Sequence, residues 1–323
     1  MAALVLAGCS GQSGSDTACG TEACLTERYF DAHPDTWQAC SPVSSAERLD
    51  SLLDMRLYWG GGAGDDRVIE QASRLQRFYR PYGLELRTSR EAVDSLLRYA
   101  MSGSQDQLDA ALEAAGIPTQ GTLSADEQHR ANRAVGGVIF AGLREFVLSR
   151  SPSSAVHLVV LEHVMAPELA AALWPSSSQT IIGFGISPRL FDAVSASDPQ
   201  YDLYEMTGLS GNFAPAVFIG DADVGDLPGS PDNLVAHEVG HALGLAHTIE
   251  SGNLMVPGQN RDCEESLSSA QLAEMRQALG GEQAAVSSSL ATVAPTGEWF
   301  PQLVAAAVRS RQVRHAARLS PAP

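Results

Sequence analysis

The sequence contains no lysine: all 21 of its basic residues are arginine. Chemistry that needs an ε-amino group, such as a Schiff base, a P-loop phosphate cradle or a kinase fold, is excluded. Long apolar runs are missing too. The longest, near residues 1–8 and 134–143, fall far short of the roughly 20 residues that cross a bilayer. Positive charge is scarce, with 21 basic against 38 acidic residues and a formal net charge of -17. No basic face is left for a phosphate backbone, so no nucleic-acid partner is expected. There is no G-x-S-x-G turn for a serine hydrolase and no C-x-x-C pair for a cysteine zinc site. What remains is globular, 44% hydrophobic and 18% charged over 323 residues, enough for one large domain or two ordinary ones.

The first residues form a short apolar stretch ending in Leu6, Ala7, Gly8 and Cys9. That ending resembles a bacterial lipobox, in which cleavage before the cysteine precedes its lipidation, although a basic leading segment is lacking. On this reading residues 1–8 are the remnant of a signal peptide. Membrane contact is then made only through a lipid on Cys9, and the chain is exported to the cell envelope or, without the lipid, to the extracellular space. Ser10 to Ser15 alternates serine and glycine with one glutamine, a flexible tether. Cys19, Cys24, Cys40 and Cys263 make an even number in an exported chain, so two disulfides are expected, with three pairings open. Free buried thiols are the alternative.

Residues 49–280 read as one domain of alternating strands and helices, after a cysteine-containing segment over 9–48. Strands are expected over Met55 to Trp59, Leu84 to Arg87, Ala155 to Val164, Thr180 to Ile186 and Ala216 to Gly220. Gly60 to Gly64 is a loop. Val68, Ile69, Ala72, Leu75, Gln76 and Tyr79 then recur at helical spacing. Glu91 to Arg150 reads as mostly helical, broken around Gly116 to Pro118 and at Gly121, with Ser124 and Glu127 as a capping box. A long loop-rich stretch follows from Pro188 to Pro215. A helix is predicted from Asp232 to Leu243, with Pro231 at its first turn and Gly244 at its end. Ser268 caps a last helix through Ala278. Residues 281–323 form an Ala- and Arg-rich tail with no acid beyond Glu298. Such a basic segment packs or floats against an acidic domain, or meets an anionic lipid surface.

The chemistry is concentrated in His237-Glu238-Val239-Gly240-His241-Ala242-Leu243-Gly244-Leu245-Ala246-His247. Helical residues four apart share a face, so His237 and His241 can present ring nitrogens to one ion. Glu238 lies about 100° around the helix from His237, beside the ion, where a carboxylate can take a proton from an activated water. Gly244 permits the positive φ that ends the helix and brings His247 round as a third ligand. Three protein ligands leave one tetrahedral position open, the mark of a catalytic rather than a structural zinc. Amide hydrolysis is the reaction that suits this set, with Glu238 as general base and then acid.

These eleven residues match H-E-x-x-H-x-x-G-x-x-H, and the chain is identified on them as resembling the metzincin zinc metallopeptidases. Asn253 to Pro257 is similar to the family's Met-turn, with Met255 eight residues after His247, a matrixin-like spacing. The resemblance implies an α+β catalytic domain with a twisted mixed sheet, a zinc-binding helix, a Met-turn and a C-terminal helix. It implies a zinc-dependent endopeptidase acting on a peptide or protein, with His237, His241 and His247 on Zn2+ and Glu238 catalytic. It further implies Met255 as an apolar floor under the ion and an edge strand, here Thr180 to Ile186, that pairs with extended substrate. The rival reading is a surface-anchored module that binds peptides or proteins on a metallopeptidase scaffold without cutting them. A thiol from Cys24 or Cys40 occupying the metal would instead make the N-terminal segment a latency device.

Two weaker patterns complete the reading. Asp221, Asp223 and Asp226 place oxygen ligands before and after Gly225, a calcium (Ca2+) candidate, with a solvated turn as the commoner outcome. His157 and His163 lie six apart on one strand and would share a face, a pair expected to be structural.

Overall fold

The computed structural model describes residues 48–92, 97–173, 181–193, 206–224, 231–256, 265–280 and 299–319. Cys9, Cys19, Cys24, Cys40 and Cys263, the serine and glycine tether, Pro257 and Asp226 lie outside them. In chain order the elements are β1 (Ser51–Trp59), α1 (Asp65–Tyr79), β2 (Leu84–Ala92), α2 (Gln105–Ala114), α3 (Ala125–Ile139) and α4 (Ala141–Ser149). Then come β3 (Val156–Leu161), α5 (Pro167–Leu173), β4 (Gly183–Ile186), α6 (Pro188–Ala193) and β5 (Ala216–Gly220). The short α7 (Asp221–Val224), α8 (Pro231–Ala242), α9 (Ser269–Gly280) and α10 (Trp299–Leu319) complete the described chain.

The five strands form one mixed sheet in the order β2-β1-β3-β5-β4. β1 runs parallel to β2 from Ser51 opposite Leu84 to Trp59 opposite Ala92, and parallel to β3 from Met55 opposite Val156. β3 is parallel to β5, and only the edge strand β4 is antiparallel, with Gly183 opposite Ile219 and Ile186 opposite Ala216. Every residue of β3 is buried, as expected of a central parallel strand covered on both faces.

Side-chain alternation divides the core into two layers. Leu53, Met55, Leu57, Val156, Leu158, Val160, Val217 and Ile219 meet α1 and α8 on one face. Val159, Leu161 and Phe218 meet α2, α3 and α4 on the other. Each fully buried aliphatic or aromatic side chain contributes about 1.5–3 kcal/mol, so these layers fix how the helices lie on the sheet. A directional bond adds to the apolar contact between α1 and α8: the Tyr79 hydroxyl, fully buried, donates to the Ala236 carbonyl at 2.9 Å.

Four differences from the sequence reading have physical causes. β1 and β2 are longer than their apolar cores, because their ends pair in register with each other. The stretch from Glu91 is not helical before Gln105 among the described residues. Its first two residues end β2, and Met101 bonds Val164 and Ala166 through the backbone, tertiary pairing that local propensity does not reveal. Pro188 opens α6 rather than a loop, with Ser187 Oγ accepting from the Leu190 N–H at 3.2 Å. Finally, a 21-residue helix, α10, occupies much of the arginine-rich tail, to which the sequence reading assigns no helix. It buries Val304, Ala307 and Val308 and packs on α2, α3 and α5. Its arginines serve as side-chain donors, Arg311 to the Ile117 carbonyl at 2.7 Å and Arg314 to Asp109 at 2.6 Å.

Candidate metal centre

Helix α8 places His237 and His241 one turn apart with Glu238 next to the first, and its end determines where His247 goes. Gly244 has φ +98°, a conformation that strains any side chain with a Cβ. Around it the Leu245 N–H bonds the Gly240 carbonyl at 2.9 Å and the Gly244 N–H bonds the His241 carbonyl at 3.0 Å. That bond pair is a Schellman motif, and it turns the chain back beneath the helix.

The two buried rings are oriented from behind by main-chain carbonyls. His241 Nδ1 lies 2.7 Å from the Leu245 oxygen, which the Schellman turn delivers, and His237 Nδ1 lies 2.7 Å from the Leu254 oxygen. A carbonyl only accepts, so each Nδ1 carries the proton and each Nε2 presents its lone pair. Those Nε2 atoms meet the ring of the half-buried His247: its Nε2 lies 3.2 Å from that of His237 and 3.1 Å from that of His241. A proton on His247 Nε2 serves one neighbour at a time, whereas a cation serves all three. A tetrahedral ion bonded to imidazole at about 2.0–2.1 Å would separate the nitrogens by about 3.3–3.4 Å, close to what is seen. The three histidines therefore fit a metal, and among the described residues they are the only group of three or more His, Cys, Asp or Glu so placed. In metal sites, carbonyl partners behind the imidazole rings form the second shell that fixes tautomer and angle.

Glu238 is 8% exposed on the same helix. It faces β4, whose glycines the sequence reading did not single out. A Cβ on Gly183 would fall 2.8 Å from Glu238 Oε1, and one on Gly185 would collide with the Glu238 carbonyl. Alternate glycines thus let the edge strand lie directly on the helix at the carboxylate. The signal in the sequence is the G-x-G pattern within a strand, which marks close backbone approach.

Met255 is fully buried under the helix. Its sulfur packs where a Cβ on Gly240 would come within 2.6 Å, so that glycine and this methionine fit each other. The Met255 N–H bonds Asn253 Oδ1 at 2.9 Å, and the Thr248 N–H bonds the Met255 carbonyl at 3.0 Å. Asn253 is held by Gln271 of α9, and Gln271 with Ser268 forms the capping box of that helix. The turn that carries Met255 also supplies the Leu254 oxygen for His237, so its position bears directly on how that ring is aimed.

The remaining predicted residues lie apart from this centre. His157 is fully buried between the Tyr58 hydroxyl at 3.2 Å and Ser153 Oγ at 3.1 Å. Burial, with Arg56 and Arg150 nearby, pushes its pKa down to about 4, so it stays neutral. Asp221 begins α7 and accepts from Arg67 Nε at 2.7 Å, an ion pair that in turn reaches Glu70. Of the calcium candidates, the Asp221 carboxylate is engaged by a guanidinium, while the Asp223 side chain and Asp226 lie outside the described residues.

No protein-family model matches the chain, and no curated protein matches it. Among solved structures it is similar to metalloproteinase-II from Bacteroides fragilis, at 12% sequence identity and a TM-score of 0.37. The similarity covers 79% of this chain and 61% of that chain, so it spans less than two thirds of that protein's structure.

Proposed function

We propose that the chain is a zinc-dependent endopeptidase. The observation that supports this most is the convergence of three imidazole Nε2 atoms, two of them oriented by carbonyls at 2.7 Å, beside a buried carboxylate. His237, His241 and His247 would hold the ion, which when bound supplies Lewis acidity toward a peptide carbonyl and its attacking water. The chain does the rest. Glu238, pressed between α8 and β4, takes the proton of the water on a carboxylate oxygen and delivers it to the leaving nitrogen. Met255 fills the space beneath the helix and keeps water from the rear of the ligands. β4, the sheet edge above the helix, is the place for an extended peptide to add as a further strand.

The test is turnover of a mixed peptide library, read as new cleavage sites by mass spectrometry. Cleavage is expected to stop on chelation and to return with added zinc. A chain that binds zinc stoichiometrically yet leaves every peptide intact would instead be the non-cutting peptide-binding module. We further infer that Cys9 carries lipid on an exported chain; labelling with a fatty acid that Cys9→Ala does not abolish would refute that part alone.

A further inference from the structure

Two loops leave the carboxyl ends of neighbouring parallel strands and go to opposite faces of the sheet. Residues 60–64 lead from β1 to α1, whose Val68, Ala72 and Leu75 join one core layer. Residues 162–166 lead from β3 to α5, whose Leu169 joins the other. Where successive connections of an α/β sheet diverge in this way, a crevice opens beyond the strand ends, the common place for a small ligand. A cavity of about 310 Å³ lies there, lined by Gly61, Gly62, Leu97, Arg98 and Glu162. None of these residues belongs to the histidine centre.

The cavity depends on its glycines. Gly62 has φ +105°, and a Cβ on it would fall 2.7 Å from Glu162 Oε2; one on Gly61 would strike the Arg98 carbonyl. Opposite charges line the same space. Among the described residues neither Arg98 nor Glu162 has an ion-pair partner, and they do not pair with each other. The Arg98 guanidinium is steadied over the Tyr99 ring, 5.3 Å from its centroid. Leu97 adds a buried apolar wall. A cation and an anion held apart around a small space, with one apolar side, match a small zwitterion.

We propose that this cavity binds a free α-amino acid, its carboxylate on Arg98, its ammonium on Glu162 and its side chain against Leu97. Arginine suits a carboxylate because its fork can bond both oxygens. The volume, at the lower end for ligand pockets, has room for one amino acid. The inference stands independently of the peptidase reading.

The test is calorimetric titration of the full chain with L-leucine. Saturable one-to-one binding is expected. It should weaken at least about tenfold in Arg98→Gln and in Glu162→Gln, each of which loses a charge-assisted bond, and vanish in Gly62→Ala. Arg98 and Glu162 are exposed, so an unchanged melting temperature will show that both variants fold. N-acetyl-L-leucine and L-leucinamide, each lacking one charge, should also bind at least about tenfold more weakly. No saturable heat at millimolar leucine would overturn the proposal. So would an affinity unchanged in both charge variants, binding that disappears only in His241→Ala, or tighter binding of L-leucyl-L-leucine than of leucine.

Discussion

Replacing Glu238 by Gln removes a charge while keeping the shape of a side chain packed against Gly183, so the metal site should survive it. Glu238→Gln is expected to keep stoichiometric zinc and to lose about 10²–10⁴-fold in kcat, the range for a lost general base. His241→Ala should lose both, since it removes a proposed ligand that is 4% exposed and leaves the Leu245 carbonyl without its donor. Metal analysis beside a peptidase assay separates the two effects, and full activity of Glu238→Gln would end the mechanism. The residues proposed for these roles were legible from spacing alone. The carbonyls behind the rings were not, because a main-chain oxygen has no letter in the sequence. His157 makes a different prediction. The unfolded chain protonates this imidazole below its ordinary value of 6.5, whereas the folded chain resists until about 4. Its contribution is therefore complete above about pH 6.5 and is lost as pH falls through that window, about 3 kcal/mol if the whole shift is expressed. Urea unfolding of the wild type and of His157→Gln at pH 7 and pH 4.5 should show a smaller fall in the variant; equal falls would show that other groups set the acid sensitivity.

At the scale of elements, the join between β4 and α8 decides how the carboxylate is presented. Gly183 faces the Glu238 side chain, whereas Gly185 faces helix backbone. A methyl group on Gly183 can be accommodated by moving the carboxylate, so Gly183→Ala should fold, keep zinc and lose peptidase activity. A methyl group on Gly185 meets atoms that cannot move independently, and Gly185→Ala should lower stability by about 1–3 kcal/mol, as overpacked sites do. Thermal melts together with kcat and metal content for both variants check this, and a fully active Gly183→Ala would show that the contact is only packing. The helix carrying the histidines, its proline start and its glycine stop were legible because capping and turn chemistry are local. The irregular path of residues 97–104 was not, because it follows backbone bonds from Met101 to Val164 and Ala166 that lie far along the chain.

On the scale of the whole molecule, the proposed metal ties segments distant in sequence: α8, the turn bearing His247 and, through the Leu254 oxygen, the Asn253 to Met255 turn that α9 holds. An ion bound by the folded chain alone stabilises it by mass action, about 2.7 kcal/mol when free zinc is 100 times its Kd. Chelation should therefore lower the melting temperature by several degrees, and zinc should restore it in the wild type but not in His241→Ala. A melting temperature indifferent to chelator would count against a shared metal. The sequence by itself determined the histidine and glutamate spacing, the Gly244 turn and the order of most strands and helices, because each of these rests on neighbours within a few residues. Tertiary structure alone decided that the two β4 glycines lie against Glu238, that the Leu254 carbonyl aims the His237 ring, that diverging loops border a charged cleft and that α10 packs on α2, α3 and α5. Those arrangements depend on close approach between segments far apart in the chain, and such distances exist only once the core has packed.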